Sequence, residues 1–141
     1  MSISVEKKLS LNDLGLTGSH QAGMLIPKKK EILGFFPYLS PETQNPRCVL
    51  HFEDSAGTEW KFNYIYYNNG LFGGTRNEYR LTGMTAFLRT AKLHVDDTVI
   101  FTRCDDGEYT IDYRRKNELI MSEKSGIVRL KLSDSWTVID L

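Results

Sequence analysis

The sequence predicts a mostly β chain with two short helices, and three observations carry that expectation. Apolar and polar residues alternate in the strand period over several stretches, turn residues separate those stretches at short intervals, and helix punctuation marks two places. Many short strands joined by tight turns pack as a barrel or a sandwich.

Taken in order, Pro27 opens the first helix, expected to run to about Phe36, because a missing N–H costs nothing at a first helical position. Val49 to Glu53 and Glu59 to Tyr66 alternate on either side of Asp54-Ser55-Ala56-Gly57-Thr58, which predicts a hairpin. Thr82-Gly83 precedes the second helix, Met84 to Ala91. Strands follow at Thr98 to Arg103, Glu108 to Arg114, Ile127 to Leu132 and Trp136 to Ile139, separated by Asp105-Asp106-Gly107 and by Ser122 to Gly126.

At 141 residues and 40% hydrophobic, the chain has enough apolar material for one ordinary core, so residues 1–141 are expected to be a single domain. Its 18 basic and 18 acidic residues cancel, so global charge does not select nucleic acid as a partner. Phosphate binding depends instead on a local basic face. Lys7, Lys8, Lys28, Lys29, Lys30, Arg76, Arg80, Arg89 and Lys92 supply candidates, and the later acidic region of Asp96, Asp97, Asp105, Asp106 and Asp112 is expected to face away from them. The polar start and the lack of any apolar run near the ~20 residues a bilayer helix needs imply a cytoplasmic protein. Cys48 and Cys104 stand far apart with no CxxC or Cys/His cluster, which argues against a disulfide framework, a zinc site or another cofactor; both are expected as small core residues.

The most informative stretch is Tyr66-Tyr67-Asn68-Asn69-Gly70-Leu71-Phe72-Gly73-Gly74-Thr75-Arg76-Asn77-Glu78-Tyr79-Arg80, an aromatic strand end running into a glycine-rich loop. Arg can donate twice to guanine, Asn pairs with adenine, and Glu accepts from the cytosine amino group, so complementary base readers fall within five residues. A hairpin tip with solvated charges is the blander reading of the same residues. Gly70, Gly73 and Gly74 fit either a close approach to a groove wall or ordinary turns.

A second segment, Asn12-Asp13-Leu14-Gly15-Leu16-Thr17-Gly18-Ser19-His20-Gln21-Ala22-Gly23, stands near the N-terminus. Together the two segments resemble the N-terminal effector domain of the EcoRII restriction endonuclease, over roughly residues 7 to 82. The stretch from Thr85 through Leu88, Leu93 and Asp96-Asp97 to Val99 and Phe101 is similar to the auxin-response-factor (B-three) DNA-binding domain of plants, where a short helix leads through an acidic turn into a strand. Both resemblances imply one fold, a DNA-binding pseudobarrel or seven-stranded open barrel, which grips double-stranded DNA with two arms. They further imply a CC(A/T)GG-like target, a nuclease domain fused after Leu141, and a domain that is monomeric when isolated and has no active site of its own.

On that basis Lys7 and Lys8 are expected on phosphates, with Ser10, Asn12, Asp13, His20 and Gln21 on base edges or backbone. Turn formation and loop bracing compete with those roles for Asn12, Asp13 and His20. In the second arm Arg76, Asn77, Glu78 and Arg80 are the expected base readers, with Thr75 and Tyr79 against the DNA backbone. The family pattern carries lysine where this chain has Gly74 and Tyr79, so this loop is the less basic. An autonomous Mg²⁺-dependent nuclease using Asp54, Glu59 and Lys61 is the alternative, although those carboxylates crowd one hairpin turn. A protein-interaction pseudobarrel without DNA binding would also suit the neutral charge. No G-x-S-x-G, P-loop or H-E-x-x-H string offers another catalytic centre.

Overall fold

Strands of three to nine residues cannot bury an apolar face alone, so they must pair side by side and curl. The computed structural model describes residues 2–15, 23–116, 128–131 and 136–140. In chain order it has β1 (Ile3–Lys8), β2 (Met24–Ile26), α1 (Lys30–Leu33), β3 (Arg47–Glu53), β4 (Glu59–Tyr67), β5 (Glu78–Thr82), α2 (Thr85–Thr90), β6 (Thr98–Arg103), β7 (Tyr109–Arg114), β8 (Val128–Lys131) and β9 (Trp136–Asp140).

The nine strands among the described residues form one sheet in the order β2-β5-β4-β3-β7-β6-β1-β9-β8. Neighbours are antiparallel except β3 and β7, which run parallel and register only at Phe52↔Tyr109 and Glu53↔Thr110. Around that short seam the sheet curls into the open pseudobarrel that the resemblance implies, with nine strands where seven were expected. Inside lie Phe52, Phe62, Tyr64, Leu81, Phe101, Ile111 and Trp136. Phe52 links both sides of the seam, with ring centroids 5.4 Å from Phe62, 5.5 Å from Phe101 and 5.1 Å from Tyr109.

The six strands legible in the sequence are present within a residue or two of their expected ends. Three more are present, β1, β2 and β5, of which β1 and β5 carry residues expected in the two arms. The strand β1 is hydrogen-bonded along both edges, to β6 and to β9, and its Ser4, Glu6 and Lys7 are buried, so these polar side chains must find partners. Ser4 Oγ meets Thr102 Oγ1 at 2.6 Å, and Glu6 accepts from Arg114 at 2.7 and 3.2 Å. The first helix is one turn, much shorter than Pro27 to Phe36, because the chain is still extended at Lys29 (φ −101°, ψ 133°). Phe35 and Phe36 then turn inward. Cys48 and Cys104 are free and half-buried, and Cys48 packs against the core. No helix among the described residues is long and apolar enough to cross a membrane.

Candidate nucleic-acid interface

The first arm leaves the barrel where β1 ends. Ser10 N–H donates to Asp13 Oδ2 at 2.9 Å and Asp13 N–H donates to Ser10 Oγ at 3.2 Å, a reciprocal pair that shapes the turn over residues 10–15. Asn12 lies half-buried in that turn, and its carbonyl accepts from Gly15 N–H at 3.0 Å. Lys7 reaches under the turn to Asp13 Oδ2 at 2.8 Å, with side-chain exposures of 7% and 4%. Its ammonium also donates to the Lys8 carbonyl and lies 6.0 Å from the Trp136 ring centre. Lys7, expected on a phosphate, is thus a buried strut at the arm's root, because it shares a face of β1 with the core residue Val5 and stands opposite the buried Trp136. Lys8 is exposed, with Nζ 3.6 Å from Asp96 Oδ1. Asp96 and Asp97 do not face away: Leu9 exchanges backbone hydrogen bonds with both, at 3.0 and 2.8 Å. His20 and Gln21 lie outside the described residues.

The second arm is the β4–β5 connection. Asn68, wholly buried at its base, donates to the carbonyls of Pro41 and Thr43 at 3.3 and 2.8 Å and accepts from Asn45 N–H at 2.6 Å. Gly70 N–H donates to Arg76 C=O at 2.7 Å and Gly74 N–H to Asn69 C=O at 2.8 Å, closing the loop on itself. A Cβ on Gly74 would sit 3.0 Å from Asn69 Cβ, so the glycine serves the loop's own close packing. Thr75 is exposed at its end.

Strand alternation then sorts the predicted readers onto two faces. Tyr79 pairs with Tyr66 across the ladder and stacks on it at 4.2 Å and 5°, on the face packed against the core. Tyr79, expected against the DNA backbone, is thus half-buried with its ring packed on the core. Glu78 and Arg80 share the opposite face with Tyr67 and Ile65, their register partners. Glu78 Oε1 accepts from Arg76 Nε at 2.7 Å and from Arg80 Nε at 3.1 Å. Burial pushes the Glu78 carboxyl up, but hydrogen bonds and charge from the two arginines outweigh it and hold it below the usual carboxylate range. Arg76 also lies flat over Tyr67, 3.7 Å from the ring centre. The Arg76 side chain is 36% exposed, and with Nε taken by Glu78 and the plane fixed by Tyr67, its Nη edge is the part left to meet an outside acceptor. Arg80 differs: its side chain is 4% exposed and Nη1 reaches the Gly23 carbonyl at 3.5 Å, which makes it a brace between β5 and β2. Asn77 is exposed, and its Oδ1 accepts from Tyr66 O–H at 2.9 Å.

The structure adds Lys28, Lys29 and Lys30 to this surface. Strand β2 runs antiparallel beside β5 with Ile26 opposite Tyr79, so the exposed lysines that follow leave the sheet at the Glu78 end of β5. Their run was visible in the sequence, but only strand register ties it to the second arm.

The nuclease alternative fares worse. Asp54 is occupied by its own turn: Oδ1 accepts from the N–H groups of Ala56 and Thr58 and Oδ2 from the Trp60 indole, all at 2.9 Å. The Trp60 bond foremost, with those turn N–H groups, holds its carboxyl below the usual range. Glu59 pairs instead with His51 at 2.7 Å. Among the described residues no three His, Cys, Asp or Glu side chains are grouped to hold a metal ion.

The family model for the N-terminal region of restriction endonuclease EcoRII matches residues 2–96. Among curated relatives, a B3 domain-containing protein of Oryza sativa subsp. japonica is 37% identical over 110 residues, covering 77% of this chain and 33% of the relative. Auxin response factor 15 of the same plant is 34% identical over 113 residues, covering 80% of this chain and 14% of the relative. The chain therefore spans a third or less of these relatives' lengths. Among solved structures, the Arabidopsis FUS3–DNA complex superposes with a TM-score of 0.60 at 24% identity, covering 78% of this chain and 94% of that one. The N-terminal domain of Helicobacter pylori LlaJI.R1 gives 0.56 at 14% identity, covering 100% and 99%. Both structures share the fold, and the match over residues 2–96 shows that the chain belongs to the family of EcoRII N-terminal domains, built on a B3-like pseudobarrel.

Proposed function

We propose that this domain binds double-stranded DNA sequence-specifically, as the effector or targeting domain of a type II restriction endonuclease with its nuclease domain fused elsewhere in the parent chain. The observation that carries the reading is Glu78, held between the half-exposed Arg76 and the covered Arg80 on the face of β5 opposite the core. A carboxylate facing a polyanion is repelled unless it contributes to recognition. Here it fixes Arg76 so that the Nη edge can donate to guanine, while its second oxygen can accept from a cytosine amino group. Family membership and the B3 relatives support the reading, as does a neighbour of the same fold solved with DNA. Lys8 and Lys28 to Lys30 take phosphates, Asn77 reads an adjoining base edge with Thr75 against the DNA backbone, and Ser10, Asn12, Asp13, His20 and Gln21 contact base edges or backbone from the first arm. The family resemblance points to CC(A/T)GG as the first duplex to try.

The test is competition binding of labelled CC(A/T)GG and scrambled duplexes, with and without Mg²⁺. Cognate preference without cleavage is expected. Arg76→Ala should weaken cognate binding by about 1–3 kcal/mol and non-specific binding much less. Glu78→Gln should relax discrimination at one C·G position and leave non-specific binding equal or tighter. Equal affinity of the wild type for both duplexes would sink the proposal, and Mg²⁺-dependent cutting would revive the nuclease alternative.

A further inference from the structure

The tip of the second arm carries two large apolar side chains that no base-pairing role explains: Leu71 and Phe72 are 54% and 47% exposed. They are not the accident of a loose loop. Leu71 N–H donates to Asn68 C=O and Phe72 N–H to Asn69 C=O, each at 2.9 Å. Asn68 and Asn69 are themselves clamped from residues 41–45, the latter by Gln44 at 3.0 Å. A fixed backbone thus presents an apolar pair at the end of the arm that bears Arg76 and Asn77. Phosphate and sugar offer such a pair nothing, whereas pyrimidine C5-methyl groups are the apolar feature of the major groove.

Resting on the DNA-binding reading above, we propose that Leu71 and Phe72 form a contact for pyrimidine C5-methyl groups in the major groove. Thymine and 5-methylcytosine present the same methyl group, and substitution in the duplex separates them. Covering one methyl is worth about four-fold in affinity.

The experiment measures wild-type protein, Leu71→Ser/Phe72→Ser and Phe72→Ala against three versions of the CC(A/T)GG duplex: unmodified, with uracil for thymine, and with 5-methylcytosine for cytosine. Both side chains are surface-exposed, so melting temperatures should match the wild type and confirm folding. The wild type should lose about four-fold on uracil if thymine is the contact, or gain about as much on 5-methylcytosine if that base is. The double variant should abolish the difference and Phe72→Ala should reduce it. A wild type that binds all three duplexes alike while preferring them to scrambled DNA overturns the methyl contact and leaves the DNA-binding reading standing. So does a double variant that keeps the difference. A wild type with no duplex preference overturns both.

Discussion

Removing Lys7 separates the two roles this residue can play. As a phosphate ligand it would cost little stability and would lower the slope of log K against log salt by about 0.9. The structure instead places it 2.8 Å from Asp13 with both side chains nearly covered, where removing one partner leaves a buried charge uncompensated. That costs roughly 3–5 kcal/mol, a large part of the about 5–15 kcal/mol that holds a domain together. At about 3 °C per kcal/mol for a chain of this size, Lys7→Met should melt roughly 10 °C below the wild type. Asp13→Asn should be destabilised as well, and the double substitution should recover part of the loss, since neither charge is then stranded. The assay pairs thermal melting with a salt titration of binding to a scrambled duplex. A Lys7→Met protein that melts with the wild type and loses about one unit of salt slope would refute the strut and restore the phosphate contact.

Replacing Lys28, Lys29 and Lys30 together by Gln should have the opposite signature: unchanged melting, a salt slope lower by up to about 0.9 for each phosphate lost, and an unchanged ratio of cognate to scrambled affinity. Because the Glu78 carboxyl is held below its ordinary value of 4.5, its contribution to stability is fully present above that pH and is lost as pH falls through the depressed value. The difference in unfolding free energy between wild type and Glu78→Gln should be flat from neutral pH down to the ordinary carboxylate range and shrink below it; a difference independent of pH would mean the arginines do not favour the charged form.

The sequence by itself determined the β class, the hairpin about Asp54, the helix near Thr85, the strands from Thr98 onward and the two segments that identify the family. Each of these is written in local periodicity or in turn chemistry, which act over a few residues. Tyr66 to Arg80 was legible as a candidate reading segment because its glycines, arginines and carboxylate are contiguous, and the family resemblance marked it as the second arm.

Only the tertiary structure decided what the polar residues of β1 and β5 do. Nothing in Ile3 to Lys8 announces that strands from the far end of the chain pair with both edges of β1 and that its residues 4–7 are buried, so Lys7 is expected on a phosphate from the sequence and stands in the structure as a buried strut. The same holds for Arg80 and Tyr79, adjacent in sequence to the readers of the arm. Pairing of β5 with β4 and β2 turns Tyr79 to the core and covers Arg80, while Arg76 keeps an open edge. Side-chain type fixes what a residue can donate or accept. Whether it faces water, the core or a ligand depends on strand register, and register is set by pairings between segments far apart in the chain.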